Sequence, residues 1–401
     1  MISTSSSAAR RAATGLCLTA IALALSACGG SNYVAPPAPI PSPPAPAPLA
    51  NQLYTQTNET VNTVVHLIRN TDGSISIKNK SATNGVGLNG IKPGAAAAAP
   101  DSLVSQHAIT VSDDNTLLFA VNGGDSSVSV FSIDQTTGDL TLKKSTKLHG
   151  STPSSLAFHN GFLYVVFQTG SDQLGAYAIG ADGSLSQLGL YALPVAAGAT
   201  PTQVVISPDG NFAVVSAGTG SNTVLSYPMN KDGTLATPVP NSTGVNTPFA
   251  GAFASATVYL STDIGNKGLA AFTFNNAGAL TLINAAVSGE AAPCWLSITP
   301  NGKFAYVGNG AGSISSYSVA ANGSVTILNA KAASEAGVLT GVNSVAADSW
   351  ISADGKFLYV TYMGDDKVVS YSIGADGALT KLNEQTIGTA THVSLHGATG
   401  I

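Results

Sequence analysis

The sequence has few charged residues, few cysteines and no long apolar run. Only 9% of its 401 residues are charged, and acidic residues outnumber basic ones by 21 to 16, for a net charge of -5. No cluster of basic residues with interleaved aromatics occurs, so nucleic acid is not an expected partner. Two of the three cysteines lie within the first 28 residues, and Cys294 stands alone in the rest of the chain. An intrachain disulfide is therefore not expected there, and stability must come from packing a large core.

The first residues have the pattern of an export signal. Two arginines precede the apolar run Leu16–Leu25, which is too short to span a bilayer. The sequence LSAC at 25–28 resembles a bacterial lipobox, which implies cleavage before Cys28 and acylation of that residue with chains such as palmitate. We expect residues 1–27 to be a lipoprotein signal peptide, and an ordinary secretory signal is the alternative.

Residues 28–50 are predicted to tether the folded part of the chain to a membrane. Ala35–Pro48 is rich in proline, which favours an extended spacer, although a linker without a length requirement has the same composition. Gly29 follows the cysteine, which by the sorting rule of Gram-negative bacteria indicates the outer membrane. We therefore expect an exported, monomeric lipoprotein of the bacterial cell envelope, with one folded domain over residues 51–401.

Residues 201–237 read as four short strands. Asp232-Gly233 is a hairpin signal between the third strand and a fourth that is predicted to start at Leu235. The same pattern recurs at 292–328 and 345–382. A four-stranded sheet of this size cannot bury both of its faces alone, so each unit needs neighbours like itself.

The turn between the third and fourth strands recurs, mostly at intervals near 45 residues. Its glycines are Gly73, Gly138, Gly183, Gly233, Gly278, Gly323 and Gly377. A repeat of this length with four strands predicts an all-β fold, the β-propeller, and seven turns predict seven four-stranded blades. A β-sandwich, the other all-β candidate, does not explain the period.

The two ends of the domain are predicted to share one blade. The first unit begins directly with a second strand, QLYTQT from Gln52, and lacks an inner strand. After the last complete unit, one spare strand remains at Thr391–His396. We expect this strand to complete blade 1, which closes the ring and removes the open sheet edge.

One aligned position of the inner strands is predicted to form a ring at the mouth of the central channel. The seven residues at this position are His107, Ser155, Gln203, Ala250, Trp295, Asp348 and His392. Two imidazoles near a carboxylate could act as a general base and its orienting group, or they could bind a metal. The third alternative is that polar residues are merely tolerated at a wet channel mouth. No metal or cofactor is predicted, because no HxH or Cys/His cluster supports the metal alternative.

Two further residues near the predicted rim are candidates for chemistry. Glu290 precedes the strand at 293–298 and is either a base or a solvated loop acid. Cys294 has no nearby cation in the sequence, which predicts a packed thiol rather than a reactive one. The remaining histidines are predicted to lie on outer strands or turns at the surface; these are His66, His149 and His159.

Two long segments interrupt the repeat. Gly85–Leu103, which contains Lys92, enters blade 2, and Ala330–Val342 enters blade 7. Both join a fourth strand to the next inner strand, so both are expected on the rim where propellers bind ligands. Long loops in a compact fold are functional or disordered, and these two could form a lid over the channel.

The chain resembles the propeller lactonase family, which includes propeller-type 6-phosphogluconolactonases and carboxymuconate cyclase-like proteins. The resemblance covers about residues 51–396, and it is carried by the stretches at 102–133, 201–218 and 290–309. The segments SQHA…LFAVNGGDSSVSVF and APCW are similar to the exported branch of this family.

The resemblance implies a hydrolase that opens a small lactone, in which water attacks the ring ester with the help of a base and an oxyanion stabiliser. The candidate catalytic residues are then His107, Glu290, His392 and Asp348. The candidate substrate-binding residues are Gln203, Trp295, Asn122 and Lys92.

The scarcity of arginine bears on the substrate that the resemblance implies. Arg69 is the only arginine after the predicted signal peptide, and bidentate phosphate recognition favours arginine. A neutral or carboxylated lactone is therefore a more plausible substrate than a phosphorylated one. The alternative function is a propeller without catalysis that binds a protein or glycan partner in the cell envelope.

Overall fold

The computed structural model describes residues 49–218, 220–242 and 244–401, and these residues form seven four-stranded antiparallel sheets. The predicted signal peptide and almost all of the predicted tether, including Cys28, lie outside the described residues. Within the described part of the chain, no helix is long and apolar enough to cross a membrane.

Each sheet is one blade of a seven-bladed β-propeller, which confirms the predicted fold. Blade 1 contains β1 (Gln52–Gln56), β2 (Thr63–Arg69), β3 (Ile75–Ala82) and the last strand, β28 (His396–Gly400). Blade 2 contains β4 (Ile109–Val111), β5 (Leu117–Asn122), β6 (Ser127–Ile133) and β7 (Leu140–Lys147). Blade 3 contains β8 (Ser151–His159), β9 (Phe162–Thr169), β10 (Leu174–Ile179) and β11 (Leu185–Tyr191). Blade 4 contains β12 (Gln203–Ile206), β13 (Phe212–Ala217), β14 (Thr223–Pro228) and β15 (Val239–Ser242).

The other three blades follow the same order from the inner to the outer strand. Blade 5 contains β16 (Pro248–Ser255), β17 (Val258–Asp263), β18 (Gly268–Phe274) and β19 (Leu280–Val287). Blade 6 contains β20 (Pro293–Ile298), β21 (Phe304–Asn309), β22 (Ser313–Val319) and β23 (Val325–Ser334). Blade 7 contains β24 (Ala346–Ile351), β25 (Phe357–Tyr362), β26 (Lys367–Ile373) and β27 (Leu379–Thr386).

The C-terminal strand closes the ring, as predicted, but it lies further along the chain than the sequence suggested. β28 begins at His396, the last residue of the predicted strand Thr391–His396, and pairs with β1. The buried glycine-rich segment of β28 carries little of the β-branched pattern that marks a strand, so sequence reasoning placed the strand too early. The fourth strand of blade 4 is also displaced, because β15 starts at Val239 and Leu235 forms only an isolated bridge.

Apolar side chains between neighbouring blades form the core. In blade 1, Leu53 packs toward blade 7, whereas Tyr54 packs toward blade 2, because successive residues of a strand point to opposite faces. The seven turn glycines all have positive φ, as hairpin turns of this kind require.

At several junctions the turns also link neighbouring blades by hydrogen bonds. Tyr54 donates its hydroxyl hydrogen to the carbonyl oxygen of Gly138 at 2.7 Å, and Tyr359 donates to that of Gly73 at 3.2 Å. The second bond crosses the closure between blades 7 and 1. At these junctions the repeated turn joins two strands of its own blade and also bonds to the preceding blade.

Candidate functional site

The inner ends of the blades converge around one segment of the chain, residues 101–107, which we call the central segment. Ser105 donates to the carbonyl oxygen of Ser154 in blade 3 at 2.7 Å, and its own carbonyl accepts the indole N–H of Trp295 in blade 6 at 3.0 Å. The amide N–H of Gln106 donates to the carbonyl of Thr202, next to blade 4, at 3.1 Å. The central segment therefore lies across the channel and contacts blades on several sides.

The backbone of the central segment is strained. Asp101, Val104 and His107 have φ values of 63°, 49° and 67°, in the left-handed region that residues other than glycine rarely adopt. A β-branched residue such as Val104 is an outlier there. Strain of this kind persists only where the surroundings hold it, and it is concentrated at functional sites.

The central segment carries His107 into the mouth of the channel, two residues before β4. The backbone N–H of His107 donates to Oδ1 of Asp348 at 3.0 Å. Its ring lies between two amides, with Nδ1 at 3.3 Å from Nε2 of Gln203 and Nε2 at 3.3 Å from Nε2 of Gln106. Burial lowers the pKa of His107, against the opposing charge of Asp348, and the residue as a whole is partly exposed to solvent. The imidazole is therefore neutral at pH 7.

A second imidazole, His396, lies beneath this site between two carboxylates. Its Nε2 is 3.2 Å from Oδ1 of Asp101, and its Nδ1 is 3.5 Å from Oδ2 of Asp348. Burial alone would lower the pKa of His396, but the two carboxylates outweigh it and raise the pKa to about 9. His396 is only 1% exposed and is protonated at pH 7, so it is a buried cation.

Asp348 connects the two histidine residues, through the backbone of His107 and the ring of His396. It is fully buried, and its carboxylate accepts from the backbone N–H groups of His107 and Gly397, at 3.0 and 3.1 Å. Burial raises the pKa of Asp101, while its hydrogen bond with His396 acts in the opposite direction. The cluster therefore joins a neutral histidine and a protonated histidine through one carboxylate, and two groups with opposed pKa shifts are the arrangement that acid–base chemistry uses.

The structure places His392 outside this cluster. His392 lies four residues before β28, its side chain is 59% exposed, and its Nδ1 is 3.9 Å from Oδ2 of Asp366. The inner-strand position that the sequence alignment gave to His392 is occupied by His396. The error has the same cause as the misplaced closing strand.

Glu290 also lies apart from the central cluster. Its Oε2 accepts a hydrogen bond from Ser313 at 2.6 Å, and its Oε1 is 3.7 Å from Nζ of Lys331. Both partners are in blade 6, so this carboxylate is engaged at the rim of that blade and not at His107.

The predicted substrate-binding residues have different positions. Gln203 and Trp295 lie in the ring around the central segment, whereas Lys92 is exposed in the segment before blade 2. Asn122 is fully buried, and its amide bonds to the side chains of four neighbours, so it has no group free for a substrate carbonyl. These four neighbours are Asn62, Thr83, Ser127 and Ser129.

The other histidines and the cysteine can now be placed. His149 is exposed, but His66 is fully buried, stacked on Tyr54 and bonded to Gln52 at 2.7 Å, so its predicted surface position was wrong. Cys294 is buried, and burial raises the pKa of its thiol, with the charge of Asp101 acting in the same direction.

Sequence reasoning missed three members of the cluster, namely Asp101, Gln106 and His396. Asp101 directly precedes the stretch at 102–133 that carries the resemblance, and Gln106 lies within it, but their roles depend on a loop that crosses the channel, and local pattern carries no signal for that path. In the described residues, no group of three or more His, Cys, Asp or Glu side chains is arranged to hold a metal ion.

Two clefts lie elsewhere in the described residues. One of about 470 Å³ is bordered by the turn at 301–304 and another of about 490 Å³ by the turn at 112–117. Both turns join an inner strand to a second strand, at the end of the strands opposite the mouth that holds His107. Neither cleft contains a pair of titratable groups with opposed pKa shifts, so the central cluster is the better candidate site.

The fold and the cluster define a seven-bladed propeller with a polar, partly open centre. A family model described as Lactonase, 7-bladed beta-propeller matches residues 53–194 and 220–384, which is more than half of the chain. The chain belongs to this family. No curated protein matches the sequence.

Solved structures of similar fold are numerous. The periplasmic gluconolactonase of Pseudomonas aeruginosa has a TM-score of 0.63 at 17% identity, over 84% of this chain and 96% of that one. A candidate 6-phosphogluconolactonase of Bacteroides fragilis has a TM-score of 0.64 at 18% identity, over 89% of this chain and 99% of that one. A hypothetical selenium-binding protein of Sulfolobus tokodaii reaches 0.62 at 9% identity, over 88% and 94% of the chains. Likeness at these identities therefore shows the fold and does not choose a substrate.

Proposed function

We propose that this protein hydrolyses the ring ester of a small lactone at the central mouth, with His107 as the general base. The observation that carries the proposal is the pair of histidines with opposed pKa shifts, one neutral in a partly exposed residue at the mouth, the other protonated and buried. Membership of the lactonase family suggests the reaction class. The geometry supports water as the nucleophile, because the described side-chain hydrogen bonds of the His107 ring go to Gln106 and Gln203 and to no serine hydroxyl or thiol.

In the proposed reaction, water replaces one of the two amides at the accepting nitrogen of the neutral His107 ring, and this nitrogen takes a proton from the water as the water oxygen bonds to the lactone carbonyl carbon. The bond between that carbon and the ring oxygen then breaks, and the ring oxygen takes the proton from the imidazolium. The product is an open-chain hydroxy acid, and His107 is neutral again. Asp348 holds the backbone of His107 in place, and His396 balances the charge of that carboxylate.

The charge of the site favours an uncharged lactone. His396 is already paired with Asp101 and Asp348, so the cluster as a whole is negative when both carboxylates are ionised. Arg69 lies at the far end of β2, bonded to Asn51 at the opposite face, and cannot reach the mouth. Repulsion would therefore oppose a phosphorylated or carboxylated substrate.

The test is hydrolysis of neutral, carboxylated and phosphorylated lactones by the purified protein, followed by acid release in a pH-stat. We expect turnover of neutral lactones and a loss of at least 100-fold in kcat for His107→Ala, because a general base contributes a factor of about 10² to 10⁴. His149→Ala removes an exposed histidine and is the matched control, for which we expect unchanged rates.

The same experiment addresses the alternative function. If neither neutral nor charged lactones are hydrolysed above background, the proposal fails, and a scaffold that binds a protein or glycan in the envelope becomes the better explanation. If turnover persists in His107→Ala, the protein hydrolyses lactones, but His107 is not the general base.

We also propose that the chain is an exported lipoprotein anchored by Cys28, with its folded part outside the cytoplasm. The support is the sequence of the first 28 residues, which lie outside the described structure. Metabolic labelling with a palmitate analogue tests this directly. Cys28→Ser should lose the label and leave the membrane fraction, whereas a label retained in that variant would contradict the proposal.

A further inference from the structure

The two amides beside His107 have fixed orientations. The backbone N–H of Leu296 donates to Oε1 of Gln106 at 2.9 Å, while Nε2 of Gln106 donates to the carbonyl of Leu296 at 2.7 Å. Rotating this amide by 180° would place its NH2 group against the N–H of Leu296 and its oxygen against the carbonyl oxygen of Leu296, so both hydrogen bonds would be lost. The backbone N–H of Gly251 donates to Oε1 of Gln203 at 2.6 Å, which fixes the second amide in the same way. Each amide therefore presents its NH2 group to the ring of His107.

This arrangement opposes protonation of the ring. A neutral imidazole has one N–H donor and one acceptor nitrogen, so it can accept from one of the two amides. An imidazolium has two N–H donors, and each would face an NH2 group at 3.3 Å. A hydrogen-bond environment that fits the neutral form disfavours the charged one. We propose that Gln106 and Gln203 are positioning residues that keep His107 neutral, so that its base function persists in mildly acidic surroundings.

The charged groups around His107 do not explain a neutral ring. Asp348 on β24 favours the imidazolium, and so does the backbone of Val204 on β12. Protonated His396 on β28 offsets the charge of Asp348. The thiol of Cys294 on β20, beside Asp101, is kept uncharged by burial. Besides burial and the cationic His396, the two amide NH2 groups are the feature of the described site that acts against the imidazolium.

Gln203 offers the cleaner test of the two. Its Nε2 has His107 as its hydrogen-bond partner, and its Oε1 is held by Gly251. Gln203→Glu keeps the acceptor for Gly251 and replaces the facing NH2 group with a carboxylate oxygen. Gln106→Glu would instead place an oxygen against the carbonyl of Leu296, so it would disturb the fold.

The experiment is an NMR titration of the histidine Cε1–H signals in the full-length protein, with His107 assigned by the signal that is lost in His107→Ala. In Gln203→Glu we expect the midpoint for His107 to rise by at least one pH unit. The acid limb of kcat/KM for a neutral lactone should rise by the same amount. Gln135→Glu makes the same substitution at an exposed position and should leave the midpoint unchanged.

A midpoint that stays the same or falls in folded Gln203→Glu overturns the inference. Because the carboxylate of Gln203→Glu also favours the imidazolium by its charge, Gln203→Met, which removes the facing NH2 group without adding a charge, is measured beside it; a rise is expected there too, and no rise in folded Gln203→Met overturns the inference. The inference rests on the proposed function for its consequence, but the two fail separately. A raised midpoint without lactone hydrolysis would support the effect of the amides and contradict the proposed hydrolase. Hydrolysis without a shift of the His107 midpoint would contradict only the role of the amides.

Discussion

The buried charge of His396 links the stability of the whole protein to pH. Its pKa is about 9 in the folded state, against 6.5 for an unperturbed histidine, so the folded state binds the proton more tightly. A group whose pKa is raised by folding stabilises the folded state fully at pH values below its pKa in the unfolded state. This contribution is lost as the pH rises through its pKa in the folded state.

We therefore predict that the free energy of unfolding decreases between pH 6 and pH 9 by on the order of 3 kcal/mol, measured by urea denaturation. In His396→Gln this decrease should disappear. His392→Gln changes a histidine that is 59% exposed and should retain it. Equal stability of the wild type at the two pH values would contradict the ion network.

At the scale of single residues, the sequence predicted part of the candidate site. His107, Gln203 and Asp348 follow from alignment of the inner strands, because each stands at a regular distance from a turn. His396 does not, because β28 has no turn after it from which its register can be counted. Gln106 acts through hydrogen bonds to a strand 190 residues away, and such a contact has no local signal.

The repeated hairpin turn is the element that sets both the blades and their spacing. Gly73 has a φ of +86°, and a Cβ built there would lie 2.1 Å from the ring of Phe357 in blade 7. Gly161 has the same φ, but a Cβ there would meet nothing within 4 Å. Substitution of Gly161 therefore tests backbone strain alone, whereas substitution of Gly73 adds a clash in the packing between blades.

We predict that Gly161→Ala costs about 1 kcal/mol of stability, from the left-handed backbone alone. Gly73→Ala should cost roughly 1–3 kcal/mol more, because the added methyl group forces Phe357 to move. Urea denaturation of both variants measures the difference. Equal losses would mean that the turn of blade 1 does not pack against blade 7 as described.

These turns are also the reason that the sequence predicts the fold so well. Asp-Gly and related pairs predict the hairpin between the third and fourth strands directly, and the number of such pairs, seven, gives the number of blades. The long segments were less predictable. Ala330–Ser334 extends strand β23, so the predicted second segment, Ala330–Val342, is partly strand, and the segment before blade 2 leads into the channel centre.

At the scale of the molecule, one strand turns an open row of blades into a ring. The backbone groups of Gln52 and Ile401 bond to each other at 2.9 and 3.3 Å, and Thr55 donates its hydroxyl hydrogen to the carbonyl of Gly397 at 2.6 Å. Removing β28 would expose the inner edge of β1 and leave blade 1 with three strands.

We predict that a chain ending at Leu395 loses cooperative unfolding or becomes insoluble. A synthetic peptide of residues 396–401 added in trans should restore part of the stability. Full-length His396→Gln separates the loss of the strand from the loss of the buried charge, and it should unfold cooperatively. Wild-type stability in the truncated chain would show that the ring does not depend on this closure.

The direction of β1 has a practical consequence. The chain runs from Asn51, beside Arg69, along β1 to Gln56, which pairs with His396, and five residue steps at about 3.3 Å each separate the two positions by roughly 16 Å. The described chain therefore starts on one side of the disc, and the mouth that holds His107 opens on the other. A support coupled at Ala50 would be attached to the back of the disc, so an immobilised preparation would keep its mouth turned toward the solution.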